Sequence, residues 1–229
     1  MEFILKIGGI SQIMYSEKLA EGIYRYTDAM PDADNIIDFL ENVTTDETSP
    51  IPNWSMWKTS DEDPYIFGKQ KRENVNVISN VGSLRYNYCK SVLEYVRLSI
   101  KEASENYALI NSIEDIGTLA PLSFSKYDIG AAMGPHTDSD PRGIDGYKIN
   151  NSVYLPTISV VSYLNDDYEG GRLHFREFDL TVEPVAGSIV IFPSLPPYYH
   201  ASLPLVSGTK YISPGFWSIK NPYFNNRQE

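Results

Sequence analysis

The chain has 229 residues, 42% hydrophobic and 21% charged, with a formal charge of −11, the profile of a soluble globular protein of one domain. That charge opposes binding to nucleic-acid phosphate, whose binders need basic residues to displace counterions, and leaves nucleic-acid demethylation a weaker alternative. No apolar window of about 18 residues offers a membrane span, and the single cysteine, Cys89, excludes an intramolecular disulfide.

Taken in order, residues 3–7 and 22–26 read as short strands separated by Gly8-Gly9. Residues 1–13 lack a basic leader and a small-residue cleavage site; with the lone cysteine, this places the expected compartment in the cytoplasm. Pro31-Asp32-Ala33-Asp34 starts a helix with acidic residues where its dipole favours them, and Ile36, Ile37, Phe39 and Leu40 give it an apolar face to about Asn42. Residues 43–65 read as a loop carrying Trp54 and Trp57, either anchors to the body of the protein or substrate contacts. Lys69-Gln70-Lys71-Arg72, the one dense basic run, reads as a solvated turn.

The strongest helical periodicity spans 83–107, with Cys89, Val92, Leu93, Val96, Ile100 and Ala103 on one stripe. It predicts a support helix packed on a sheet, with Cys89 as buried filler. Beyond Pro121 the segments are short, β-branched or aromatic, with strands expected at 122–127, 158–164, 172–175, 180–183, 188–192 and 210–213. Gly170-Gly171 suits a hairpin and 184–187 a turn. The polar stretch 139–157, with Arg142, reads equally as a lid or as a surface loop. No repeat or linker divides the chain.

Three residues carry the chemistry: His136 and Asp138 in Gly134-Pro135-His136-Thr137-Asp138, and His200 in Tyr199-His200-Ala201. Two histidines and a carboxylate form the set that holds Fe(II) on one face and leaves the opposite positions open. Alternate residues of a strand share a face, so His136 and Asp138 can reach one ion while Thr137 points away. A third ligand from a distant strand requires a sheet that folds back on itself, as in a barrel or jelly roll. His174 sits between Leu173 and Phe175 and is expected to point away from the metal.

The segment 119–218 resembles the prolyl 4-hydroxylase-like branch of the iron(II)/2-oxoglutarate-dependent dioxygenases. The resemblance rests on Tyr127-x-x-Gly130, His136-x-Asp138, Tyr163-Leu164-Asn165, Gly170-Gly171-x-Leu173-x-Phe175, Pro184-x-x-Gly187, Phe192-Pro193-Ser194, His200, Lys210 and Trp217, in that order. It implies a β-rich α+β fold: a double-stranded β-helix (jelly-roll, cupin-like) core at 119–218, with strands and supporting helices in 1–118. It also implies metal ligation and catalysis by His136, Asp138 and His200, with Fe(II), 2-oxoglutarate as cosubstrate and O2, and it admits ascorbate. By position, Lys210 matches the basic residue that receives the far carboxylate of 2-oxoglutarate, and Tyr163 the tyrosine that donates to it. Tyr127, Val161 and Leu173 would line that pocket and Trp217 would pack near the distal ligand.

A carboxylate at Asp138, where related halogenases keep a small residue, points to hydroxylation. The expected reaction is hydroxylation of a prolyl or other residue in a peptide or protein; hydroxylation of a free amino acid or another small molecule, or a non-catalytic metal-binding interaction module, are the alternatives. Two departures stand out. Met133 occupies a position where an aromatic is common, and Pro214-Gly215 interrupts the strand after Lys210, where a bulge is expected. Oligomeric state and substrate identity have no signature in the chain.

Overall fold

The computed structural model describes residues 2–7, 10–45, 54–56, 73–78, 83–139, 147–149 and 152–220. The first part of the chain supplies β1 (Glu2–Ile7), β2 (Ile10–Ala20), β3 (Ile23–Thr27), α1 (Ala33–Thr45), β4 (Ser55–Met56), β5 (Glu73–Ile78) and α2 (Ser83–Ile110). The strand-rich part follows with β6 (Thr118–Leu119), β7 (Phe124–His136), β8 (Tyr147–Ile149), β9 (Ser152–Tyr163), β10 (Glu169–Gly170), β11 (Leu173–Phe175), β12 (Leu180–Val182), β13 (Ile189–Pro193), β14 (His200–Ser202), β15 (Leu205–Ser207) and β16 (Lys210–Lys220). All pairings are antiparallel, in the order β1-β2-β3-β13-β9-β16-β7-β14-β11-β12. This is a jelly roll, the double-stranded β-helix that the motifs imply, with the two α-helices among the described residues packed against it.

The sheet curls back on itself through β7. Residues Tyr127, Lys126 and Ser125 pair with β16, whereas His136 and Met133 pair with β14. Between the two pairings Gly130 adopts φ +84°, a conformation glycine alone reaches without strain. One strand thus serves both walls and delivers His136 to the far one. At the barrel's end, β10 and β15 form a separate ribbon.

Strand alternation sorts side chains into two cores. On β13, Ile189 and Ile191 face the helices, while Val190 and Phe192 face the barrel interior. The helix-side core takes Val96, Ile100 and Ala103 of α2, all fully buried as their spacing requires. The interior core takes Tyr127, Tyr163, Leu173, Phe175 and Ile212. No helix among the described residues is long and apolar enough to cross a membrane.

Several expectations change. Residues 147–157 are largely strand, forming β8 and the start of β9; residues 140–146, with Arg142, lie outside the described residues, as do Trp57 and residues 69–72. The side chain of Cys89 is likewise outside them. Gly170-Gly171 is no hairpin: β10 pairs with β15, while β11 pairs with β12 and β14, so the glycines carry the chain from one ribbon to the other. Pro214 stays in register opposite Val161, and the β16 irregularity lies between Trp217 and Ser218. Pro214 falls after the β7 pairing ends at Ile212 and before the β6 pairing begins at Trp217. With only one neighbouring strand there, its missing N–H needs no bulge. Trp54 is an anchor: its indole N–H donates to Glu41 Oε1 at 3.0 Å, which also accepts from Lys126 Nζ and the Tyr211 hydroxyl.

Candidate active site

His136 and His200 are cross-strand partners on β7 and β14, and their rings lie 4.3 Å apart. Asp138 follows two residues beyond the end of β7. His136 Nε2 stands 3.3 Å from Asp138 Oδ1 and His200 Nε2 3.4 Å from Asp138 Oδ2, and the three ligand atoms fall within 4.8 Å of one another. All three side chains are nearly inaccessible.

The remaining ring nitrogens decide which atoms are available. His136 Nδ1 lies 2.9 Å from Gly134 O and His200 Nδ1 3.1 Å from Tyr198 O. A carbonyl only accepts, so each Nδ1 carries the proton, and in a neutral ring Nε2 presents a lone pair. Burial holds the His200 imidazole down to about 4, keeping it neutral. Burial alone would raise the Asp138 carboxyl, but the charge that His200 and His136 carry when protonated, with the Ser159 hydroxyl, outweighs it and holds the group below the ordinary carboxylate range. Lone pairs and a carboxylate therefore converge on one point, an arrangement that repels itself unless a cation sits between them. The donor set fits a metal ion that accepts imidazole and carboxylate, with the backbone carbonyls fixing the tautomers.

Lys210 lies in the same cavity and is 2% exposed. Its Nζ donates to Gly171 O and, at 3.1 Å, to Ser202 Oγ; no carboxylate pairs with it among the described residues. Burial lowers the ammonium to about 7, because a cation removed from water is costly without a counter-charge. Its Nζ sits 4.7 Å from the centre of the Tyr127 ring and 5.8 Å from that of Tyr163. The Tyr163 hydroxyl is buried with no hydrogen-bond partner among the described residues. A cation and a spare phenol donor side by side suit an entering carboxylate. Gly171 makes the room: at φ +60°, a Cβ there would meet Leu205 Cδ1 at 3.0 Å and Lys210 Cδ at 3.2 Å.

One cavity of about 300 Å³ joins the two ends, and Val161 and Leu173 line it between them. Met133 lines it too, as a thioether where an aromatic was expected. Trp217 does not: its indole donates to Ser104 Oγ on α2 at 2.8 Å, within the helix-side core. Counting alternate residues from Lys210 brings Ile212, Pro214 and Phe216 to the cavity, so strand parity identifies Phe216 as the inward aromatic. His174 points away and meets Thr181 Oγ1 at 3.0 Å. Ser159, two residues before Val161 on β9, was not singled out by the motifs, yet its hydroxyl donates to Asp138 Oδ2 at 2.6 Å.

Residues 122–218 match the profile of the 2OG-Fe(II) oxygenase superfamily. A PKHD-type hydroxylase of Thermosynechococcus vestitus is 35% identical over 85 residues, covering 34% of each chain, so the match spans about a third of that curated relative. Among solved structures, a prolyl hydroxylase from Trichoplax adhaerens, in complex with a peptide fragment of a hypoxia inducible factor oxygen degradation domain, superposes with a TM-score of 0.62 at 14% identity. That superposition covers 86% of this chain and 83% of that one.

Proposed function

We propose that this chain, whose residues 122–218 match the profile of the 2OG-Fe(II) oxygenase superfamily, is such an oxygenase and hydroxylates an apolar residue, proline foremost, in a peptide or protein. His136, Asp138 and His200 would hold Fe(II), and Lys210 with Tyr163 would hold the far carboxylate of 2-oxoglutarate. The observation that carries the reading is the pairing, in one cavity, of a three-ligand cluster with a buried lysine that no carboxylate partners among the described residues. Each half lacks a charge that the other component of the reaction would bring.

When bound, Fe(II) supplies the redox chemistry that couples O2 and 2-oxoglutarate to oxidation of a C–H bond. Overall, one oxygen atom of O2 ends in the substrate hydroxyl and the other in succinate, and 2-oxoglutarate loses CO2. The protein's own residues fix geometry. The carbonyls of Gly134 and Tyr198 hold both imidazoles with Nε2 inward. Lys210 neutralises the distal carboxylate, and Tyr127 and Tyr163 pack around its ammonium. Val161 and Leu173 shut water away from the cosubstrate chain, leaving electrostatic contacts in a low dielectric.

The rest of the lining supports this substrate class. Beyond the ligands and Lys210, the described lining is Pro121, Leu122, Met133, Pro214, Phe216 and similar groups, with serine and tyrosine hydroxyls for polarity and no further charge. Once Lys210 is taken by the cosubstrate, no cation among these residues remains for the carboxylate of a free amino acid. An uncharged ring within a peptide meets no such deficit, and a prolyl segment is already extended, so it loses little entropy on docking. Succinate release with Fe(II), O2 and a panel of proline-containing peptides and free amino acids tests the reading. Peptides should stimulate turnover and gain one oxygen each; faster coupled turnover with free proline or another amino acid would replace the peptide reading with a small-molecule one.

A further inference from the structure

Asp138 does not stand alone in its corner of the barrel. Ser159 on β9 donates its hydroxyl to Asp138 Oδ2 at 2.6 Å, and Ser194, just past β13, lies 2.8 Å from Ser159 Oγ. Both serines are 1% exposed. A hydroxyl has one proton to give. Ser159 gives its proton to the carboxylate, so Ser194 must donate to Ser159, and the chain runs one way: Ser194 to Ser159 to Asp138.

The same Ser194 ties the local backbone. Its carbonyl accepts from the N–H of Ser139, the residue after Asp138, at 3.1 Å, and its own N–H donates to Thr157 O at 3.0 Å. It also lies six residues before His200. One serine thus bridges the segments that carry Asp138 and His200, which are otherwise distant in sequence.

Resting on the metal reading above, we infer that Ser159 and Ser194 are positioning residues that commit Asp138 to ligation through a single oxygen. A charge-assisted hydrogen bond of this length fixes the carboxylate's rotation and takes one lone pair of Oδ2, which lies 3.4 Å from His200 Nε2. Oδ1, 3.3 Å from His136 Nε2, is not engaged by the serine and is the better donor to the metal. Bidentate ligation would consume a coordination position that the cosubstrate or O2 needs. Partners behind a ligand typically contribute 10–100-fold in metal affinity, and here the second hydroxyl acts only through the first.

The test is Mn(II) affinity, measured by competition with a chelator on the whole chain, for Ser159→Ala, Ser194→Ala, the double variant and Asp138→Ala, with circular dichroism reporting the fold. Ser159→Ala should weaken Mn(II) by about 10–100-fold and raise the KM for 2-oxoglutarate. Ser194→Ala should cost less, and the double variant no more than Ser159→Ala alone, because the two act in series. Ser159→Thr, which keeps the hydroxyl, should recover most of the affinity. If Asp138→Ala loses Mn(II) while Ser159→Ala retains it, or if the serine losses simply add, the relay is wrong and the metal site stands. If Asp138→Ala itself retains Mn(II), the metal assignment beneath it fails.

Discussion

His136 and His200 face each other directly across β7 and β14 with ring centroids 4.3 Å apart, and both present Nε2 to the carboxylate of Asp138. Their separation of 64 positions in the chain closes because β7 crosses from one wall of the barrel to the other. The first prediction follows. His136→Ala or His200→Ala should leave no measurable Mn(II) or Co(II) binding near neutral pH with secondary structure intact, whereas His174→Ala should bind metal as the parent does. Equilibrium titration under chelator competition distinguishes these; metal retained in His200→Ala and lost in His174→Ala would reassign the ligands.

Lys210 yields the second. Removing one partner of a buried charged pair costs about 3–5 kcal/mol, so Lys210→Ala should raise the KM for 2-oxoglutarate by roughly two to four orders of magnitude. Lys210→Met should leave the thermal midpoint of the cosubstrate-free protein near the parent's or above it, since it removes a buried cation rather than a pair. Steady-state kinetics and thermal unfolding measure the two effects separately. A large fall in stability without a change in KM would make Lys210 a structural residue.

The same group sets a pH dependence. Lys210 is held at about 7 in the fold, below its ordinary value of 10.5 in the unfolded chain. Between those values the unfolded state binds more protons, so this residue's contribution makes the cosubstrate-free protein more stable as pH rises through the window, and pH-independent below it. A dicarboxylate prefers the ammonium, so 2-oxoglutarate should bind most tightly below about pH 7 and weaken above it. Lys210→Arg, whose charge persists, should show a flat profile. Binding titrations from pH 6 to pH 9 (chosen to bracket the value) test this, and a flat profile in the parent would contradict it.

Much of this site was legible in sequence, and the reasons are local. His136-x-Asp138 puts two ligands on one strand face, a period that short-range sequence shows, while Lys210, ten residues after His200, was singled out by the family resemblance. The strand β2 was missed because it carries Ser11, Gln12, Glu17 and Lys18 among its apolar residues, and Gly130, Gly134 and Pro135 disguised the length of β7. Trp217 was placed beside the distal ligand by motif although it is out of phase with Lys210; parity alone selects Phe216. The Ser194–Ser159–Asp138 chain had no signature, because serines 35 positions apart meet only once β13 and β9 are paired.

Those two aromatics give the next prediction. Trp217→Phe should lower stability by about 1–3 kcal/mol, through the lost bond to Ser104 and the lost volume, with the KM for 2-oxoglutarate unchanged. Phe216→Ala should leave cosubstrate KM close to the parent's while reducing substrate-coupled turnover and raising uncoupled succinate release. Chemical denaturation and the ratio of product to succinate report the two. The opposite pattern would return Trp217 to the cavity.

The most direct measurement of the central claim is the stoichiometry of one reaction: purified protein with one Fe(II) per chain, 2-oxoglutarate, O2 and a proline-containing peptide, with succinate and oxygenated peptide quantified together. The account predicts peptide-stimulated succinate, matched by peptide that has gained one oxygen atom, and loss of both products in His136→Ala and Lys210→Ala. Fully loaded protein that consumes no 2-oxoglutarate with any substrate, or that consumes it equally well in both variants, would contradict it.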